Sequence, residues 1–220
     1  MRVLSALILL FALAAVAAAQ NEQAPMQEKD IAYKDWTYKS IRNGDEFNLR
    51  SYTSGKKLTI VVYFAPWCPN WRFDAPRLQK FYEKYKDKGL GIVAVGLYDP
   101  LDSMKRNISE LGVTFPAVYE STERDARLTS LHYKYRTMTG DQRKWASPWY
   151  IFLLPSMMEN GSDILTKRSF IINGEIIETE GEAFIRKHLG LSAETKGATA
   201  KSGKIEACDP AEALGLKKPC

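Results

Sequence analysis

The run Phe64-Ala65-Pro66-Trp67-Cys68-Pro69-Asn70-Trp71 sets one cysteine between an apolar stretch and a helix-forming stretch. A dithiol exchange site needs two sulfurs one helical turn apart, the first to attack a disulfide and the second to resolve the mixed disulfide. Trp71 stands where the second sulfur belongs, so Cys68 offers half of that chemistry. Unpaired backbone amides at a helix N-terminus favour a thiolate, which makes Cys68 the candidate catalytic residue. Covered by Trp67 and Trp71, the same sulfur would be inert, and the residue types leave both readings open. Trp71 is either a flat platform beside the thiol or a filler packed where a sulfur would sit. Trp145 and Trp149 flank the Ser147-Pro148 pair and extend an aromatic groove or pack as core and rim.

The other cysteines, Cys208 and Cys220, bound a tail containing Asp209-Pro210-Ala211-Glu212-Ala213-Leu214-Gly215, which reads as one capped helical turn with a glycine stop. They form a local disulfide, or one of them resolves Cys68 from a distance. An extended chain covers about 3.3 Å per residue, so reach allows the second arrangement without establishing it. Metal binding finds no support: His132 and His188 are the only histidines, and neither has a partner at ligand spacing. No cofactor motif is read. Asn107-Ile108-Ser109 and Asn160-Gly161-Ser162 fit the glycosylation sequon, whose use depends on the host.

Cys68 needs a strand before it and a helix after it. Leu58 to Phe64 is a continuous β-branched and aromatic run, the pattern of a strand buried on both faces. Pro69 suits the first turn of a helix, and Leu78, Phe81, Tyr82 and Tyr85 recur at helical spacing up to Gly89. Leu90 to Leu97 reads as a second buried strand and Asp102 to Leu111 as a helix capped by its aspartate. Two strands joined through a helix make a parallel βαβ unit. Upstream, Trp36 to Ile41 and Glu46 to Leu49 flank Asn43-Gly44, a hairpin signal. Downstream, the expectations are a helix over Thr122 to Tyr135, strands over Trp149 to Leu154, Ile164 to Ile172 and Glu175 to Thr179, and a closing helix over Gly181 to Leu189.

The chain of 220 residues carries a formal net charge of +5 among mixed-sign residues, which argues for a solvated surface over a nucleic-acid or lipid surface. Met1-Arg2, the apolar run Val3 to Val16 and Ala17-Ala18-Ala19 read as a secretory signal peptide over residues 1–19. That run is shorter than the roughly 20 residues a bilayer span needs, so no stable membrane span is expected in the mature form. Export implies a periplasmic or secreted location, where three cysteines tend to be paired or used. The expected organisation is a flexible lead over 20–32, one domain over 33–191, a linker over 192–207 and the cysteine-bounded tail over 208–220.

Asp35-Trp36-Thr37 leading into Asp45-Glu46-Phe47-Asn48-Leu49, the stretch from Tyr63 to Pro69, Ala75-Pro76 and Ser147-Pro148 together resemble a thioredoxin-fold protein of the exported TlpA/ResA type, related to the AhpC/TSA group. The resemblance covers about Tyr33 to Leu191 and implies an α/β thioredoxin-like fold, a central mixed sheet with flanking helices. It implies that Pro148 is a cis-proline whose loop faces the nucleophile, so that Trp67, Pro69, Trp71 and Pro148 are substrate-facing. It also implies protein or small-molecule thiols and disulfides as partners. The chain departs from the pattern at Trp71 and at Val62, where thioredoxins keep a buried acid. The Pro-x-x-x-Thr-x-x-Cys frame of peroxiredoxins is absent. Two functions follow: a thiol-disulfide oxidoreductase working through Cys68, or a binding or scaffold module that kept the fold and lost catalysis.

Overall fold

The computed structural model describes residues 22–192. The signal run 1–19 and the tail with Cys208 and Cys220 lie outside the described residues. The first correction falls on the segment read as a flexible lead. It contributes β1 (Gln23–Ala24) and most of β2 (Gln27–Lys34). In β2, Ile31 and Tyr33 are buried while Asp30, Ala32 and Lys34 are exposed, a period of two that a boundary at residue 32 cuts in half.

β3 (Thr37–Ser40) and β4 (Glu46–Asn48) pair antiparallel across the turn, where Gly44 takes a φ of +80°. Glycine holds that angle without a Cβ clash. Asn48 then caps the short α1 (Leu49–Thr53) by accepting from the Ser51 amide. β5 (Leu58–Phe64) and β6 (Leu90–Gly96) are buried at every position and pair in parallel, with α2 (Pro69–Tyr85) between them. α3 (Leu101–Glu110) starts one residue earlier than expected, from an N-cap at Pro100. Asp102 therefore sits in the first turn, where its charge favours the helix dipole without capping.

β7 (Ala117–Tyr119) joins β6 in parallel. The helix expected over Thr122 to Tyr135 is broken into a 3₁₀ turn at Arg124–Leu128 and α4 (Leu131–Met138). The break is at Ser130, which is extended and accepts from the Tyr133 amide as an N-cap. β8 (Trp149–Leu153) and β9 (Ile164–Ile172) follow as read. β10 is only Glu175–Ile176, because α5 (Glu178–Leu189) begins early with Glu178 and Glu180 in its first turn. β10 pairs with β1, not with β9. Gly174 permits this: a Cβ there would lie 2.2 Å from the Glu22 carbonyl oxygen.

The main sheet runs β2-β9-β8-β5-β6-β7-β3-β4, with β5, β6 and β7 parallel and β8 antiparallel to β5. One face packs Ile60, Val62 and Ile92 against α2, α3 and α5 through Leu78, Ile108 and Ile185. The other packs Val61, Val93 and Ile151 against α1 and α4 through Leu49 and Tyr135. Helices on both faces explain why β5 and β6 carry no polar alternation. The C-terminal end of β5 delivers the chain straight into the Cys68 turn.

Candidate functional site at Cys68

Cys68 is the N-cap of α2 and Pro69 its first helical residue, as the sequence requires. The turn before it is closed by the Cys68 amide donating to the Ala65 carbonyl at 2.9 Å. Ser147 then engages both ends of this turn. Its hydroxyl oxygen accepts the Ala65 amide at 2.9 Å, and its carbonyl accepts the Cys68 thiol at 3.0 Å. Only a protonated sulfur can donate that bond. Cys68 is 7% exposed, so the resting structure presents a covered thiol at the mouth of a groove.

The Ser147–Pro148 bond is cis, as the family resemblance implied. The preceding residue, Ala146, has a φ of +50°, a region costly for a residue with a Cβ. What holds this loop is Arg143. Its guanidinium forks onto Asp141, reaches Glu22 Oε2 at 2.8 Å and donates to the Pro148 carbonyl at 2.9 Å. A planar multi-donor group suits this task better than an ammonium would.

The groove, about 290 Å³, is lined by Glu22, Trp67, Cys68, Pro69, Asn70, Arg143, Lys144 and Trp145, together with Ala146 and Ser147. Trp67 and Trp145 meet edge to face at 5.1 Å. Trp67 and Pro69, two of the positions expected to face substrate, stand beside Cys68 in the groove lining. Two other expected positions do not. Trp71 has no exposed surface: its ring stacks on Phe64 at 4.4 Å, and its Nε1 donates to Asn107 Oδ1 at 2.8 Å. Pro148 is buried and its carbonyl is taken by Arg143. Position 71 lies three residues into a helix whose inner face meets the sheet, so a large indole there packs inward.

Sequence reading missed Ser147, Arg143 and Asn107 as site residues. Ser147 was adjacent to the noted proline, but nothing in one sequence shows which carbonyl a loop will aim at a thiol. Asn107 Nδ2 donates to the Pro66 carbonyl at 3.1 Å, so it ties Trp71 to the Cys68 turn. That double engagement buries Asn107 of the first sequon to 3% exposure, whereas Asn160 of the second is exposed.

Two acids elsewhere in the fold are desolvated. Asp74, six residues along α2, accepts the Tyr150 hydroxyl at 2.6 Å and the Ile176 amide at 2.8 Å. Burial pushes its carboxyl up to about 6 against those hydrogen bonds. Glu120 accepts the Leu131 and His132 amides at the start of α4, and burial raises it to about 7. His132 is fully buried, shares a hydrogen bond with the Tyr98 hydroxyl at 2.9 Å and is held neutral, well below its ordinary range, by burial and by Arg136 and Arg143. Among the described residues, no three His, Cys, Asp or Glu side chains converge as a metal site.

A cysteine at a helix N-terminus, facing the carbonyl before a cis-proline on a mixed sheet, is the arrangement of a thioredoxin-like fold. The chain belongs to the AhpC/TSA family, whose model matches residues 29–143. Over 77 residues it is 27% identical to "Thiol-disulfide oxidoreductase ResA" of Halalkalibacterium halodurans, a match covering 35% of this chain and 43% of that protein. The chain therefore spans less than half the length of that relative. It is 28% identical over 141 residues to "Probable phospholipid hydroperoxide glutathione peroxidase" of Mesembryanthemum crystallinum, covering 58% of this chain and 78% of that one. Among solved structures, a DsbF homologue from Corynebacterium diphtheriae superposes with a TM-score of 0.53 at 14% identity, covering 78% of this chain and 95% of that one. The last likeness concerns the fold alone.

Proposed function

We propose that this protein is a thiol-disulfide oxidoreductase that works through Cys68 as a single active-site thiol and is exported by way of residues 1–19. The observation that carries the reading is the Cys68 thiol aimed across the groove mouth at the Ser147 carbonyl, 3.0 Å away. In the reaction, Cys68 loses its proton and its sulfur attacks one sulfur of a substrate disulfide. A new S–S bond forms to Cys68, the substrate S–S bond breaks, and the leaving thiolate takes up a proton. An outside thiol, or one of Cys208 and Cys220, then attacks the mixed disulfide and releases Cys68. Substrates are protein or small-molecule disulfides, and no cofactor is needed.

The test is trapping. The protein is incubated with a disulfide-bearing peptide and mapped without reduction. A covalent adduct on Cys68 is expected, together with insulin reduction far slower than a dithiol enzyme achieves. Absence of any adduct overturns the reading. A second reading, a non-catalytic binding module, is favoured by one specific observation, the 7% exposure of Cys68. Under it, Cys68→Ser binds partners as the native chain does, and a lost phenotype in that variant rules it out.

A further inference from the structure

Cations sit on the two aromatic residues that line the groove, and among the described residues they lack carboxylate partners. Arg124 lies over the Trp67 ring at 5.6 Å from its centroid; Arg127 and Lys144 lie over Trp145 at 5.1 and 5.7 Å. Arg127 also donates to the Lys144 carbonyl at 3.1 Å, which couples the 3₁₀ turn to the proline loop. None of the three makes an ion pair among the described residues. Glu123 and Asp125 flank Arg124 in the chain and are exposed, yet form no ion pair with it. The neighbouring cations differ: Arg143 is matched by Asp141 and Glu22, and Arg72 by Glu110.

Cations seated on indole faces are held in place at modest cost, because ring quadrupole and charge attract. They therefore hold positive charge against both indoles of the groove, with Lys144 itself in its lining. A substrate carboxylate arriving there replaces water around charges that have no carboxylate partner among the described residues. A basic segment meets like charge instead.

We infer that the Cys68 groove selects disulfides in acidic peptide segments, with Arg124, Arg127 and Lys144 as the specificity-determining residues. This rests on the single-thiol reading above and names its substrate class. The aromatic pair contacts the peptide around its cysteine, and the cations receive Asp or Glu side chains on either side.

The experiment uses two peptides of equal length, each with one cysteine blocked as a thionitrobenzoate mixed disulfide, one flanked by Asp and Glu and the other by Lys. Attack by Cys68 releases thionitrobenzoate, which is followed by absorbance. The acidic peptide is expected to react on the order of tenfold faster at low salt, an advantage that shrinks at high salt. In an Arg124→Gln, Arg127→Gln, Lys144→Gln variant the ratio of the two rates falls to near one. The ratio within one protein cancels any general change in thiol reactivity. Equal rates for the native chain, or a preference that survives the triple substitution, overturn the inference. A binding titration of Cys68→Ser with the same peptides carrying serine separates the two proposals. Preference for the acidic peptide there sustains the selection even if no thionitrobenzoate is released, an outcome that fails only the thiol chemistry; equal binding overturns the selection.

Discussion

Asn107 holds Trp71 and the Cys68 turn at the same time. Its Oδ1 accepts the indole N–H at 2.8 Å and its Nδ2 donates to the Pro66 carbonyl at 3.1 Å. The residue that replaces the second sulfur is thus locked in the core and anchored to the loop carrying the first. Trp71 is therefore built into the packing at the position where a dithiol site keeps its second sulfur.

Trp71→Cys recreates the spacing but empties a fully buried indole volume and leaves Asn107 Oδ1 without its donor. A loss of about 3–5 kcal/mol is expected, read as a fall in the denaturant midpoint. Stability within 1 kcal/mol of the native chain, roughly the scatter of volume-conserving changes, contradicts the packing described.

Arg143→Gln removes the fork from Asp141, whose side chain is 1% exposed, and releases the Pro148 carbonyl. Breaking a buried pair on one side costs about 3 kcal/mol or more. The loop covering Cys68 also loses its tether, so alkylation of Cys68 by iodoacetamide, followed by peptide mapping, accelerates relative to the native chain. Unchanged alkylation means the loop is held by other contacts.

In the native protein Cys68 alkylates at least about tenfold more slowly than in denaturant, because reaction waits on opening of the Ser147 loop. A native rate matching the denatured one shows that the thiol is open to solvent.

Asp74 makes stability depend on pH with a definite sign. The folded carboxyl releases its proton near 6, above the ordinary aspartate range near 4 of the unfolded chain. Between those values the folded state holds the proton and the unfolded state has lost it. The contribution is complete below about 4 and falls away as pH rises to about 6. The stability difference between native and Asp74→Asn chains should decline across that window, by a few kcal/mol, in denaturation curves at stepped pH. A flat difference contradicts the burial of this group.

The strands and the Cys68 turn were legible because β5 and β6 are nearly continuous apolar runs, Pro69 opens α2 and Gly89 closes the 3₁₀ turn that follows it. Elements resting on a single side chain were harder to place. Ser130 breaks a stretch whose aromatics suggested one helix, and the alternation in β2 shows only when Ile31 and Tyr33 are taken together. At the site, Cys68, Trp67 and Pro69 stand where their local spacing puts them. Trp71 and Pro148 turn inward because tertiary packing decides which side of a helix or loop meets the core. Arg143 joins its near neighbours Asp141 and Pro148 to Glu22, 121 residues away in the chain, a partner that no local pattern connects to it.

Under the proposed single-thiol chemistry, the indole behind Cys68 also fixes a kinetic order. In a dithiol site the second sulfur is a neighbour, and release of the substrate is a first-order property of the protein itself. With Trp71 in that place, any disulfide formed at Cys68 persists until a sulfur arrives from beyond the domain. Its lifetime then tracks the concentration of surrounding thiols, or the effective concentration supplied by a tether. Dilution separates the two: release by free thiols slows in proportion, and release by a tethered cysteine does not change.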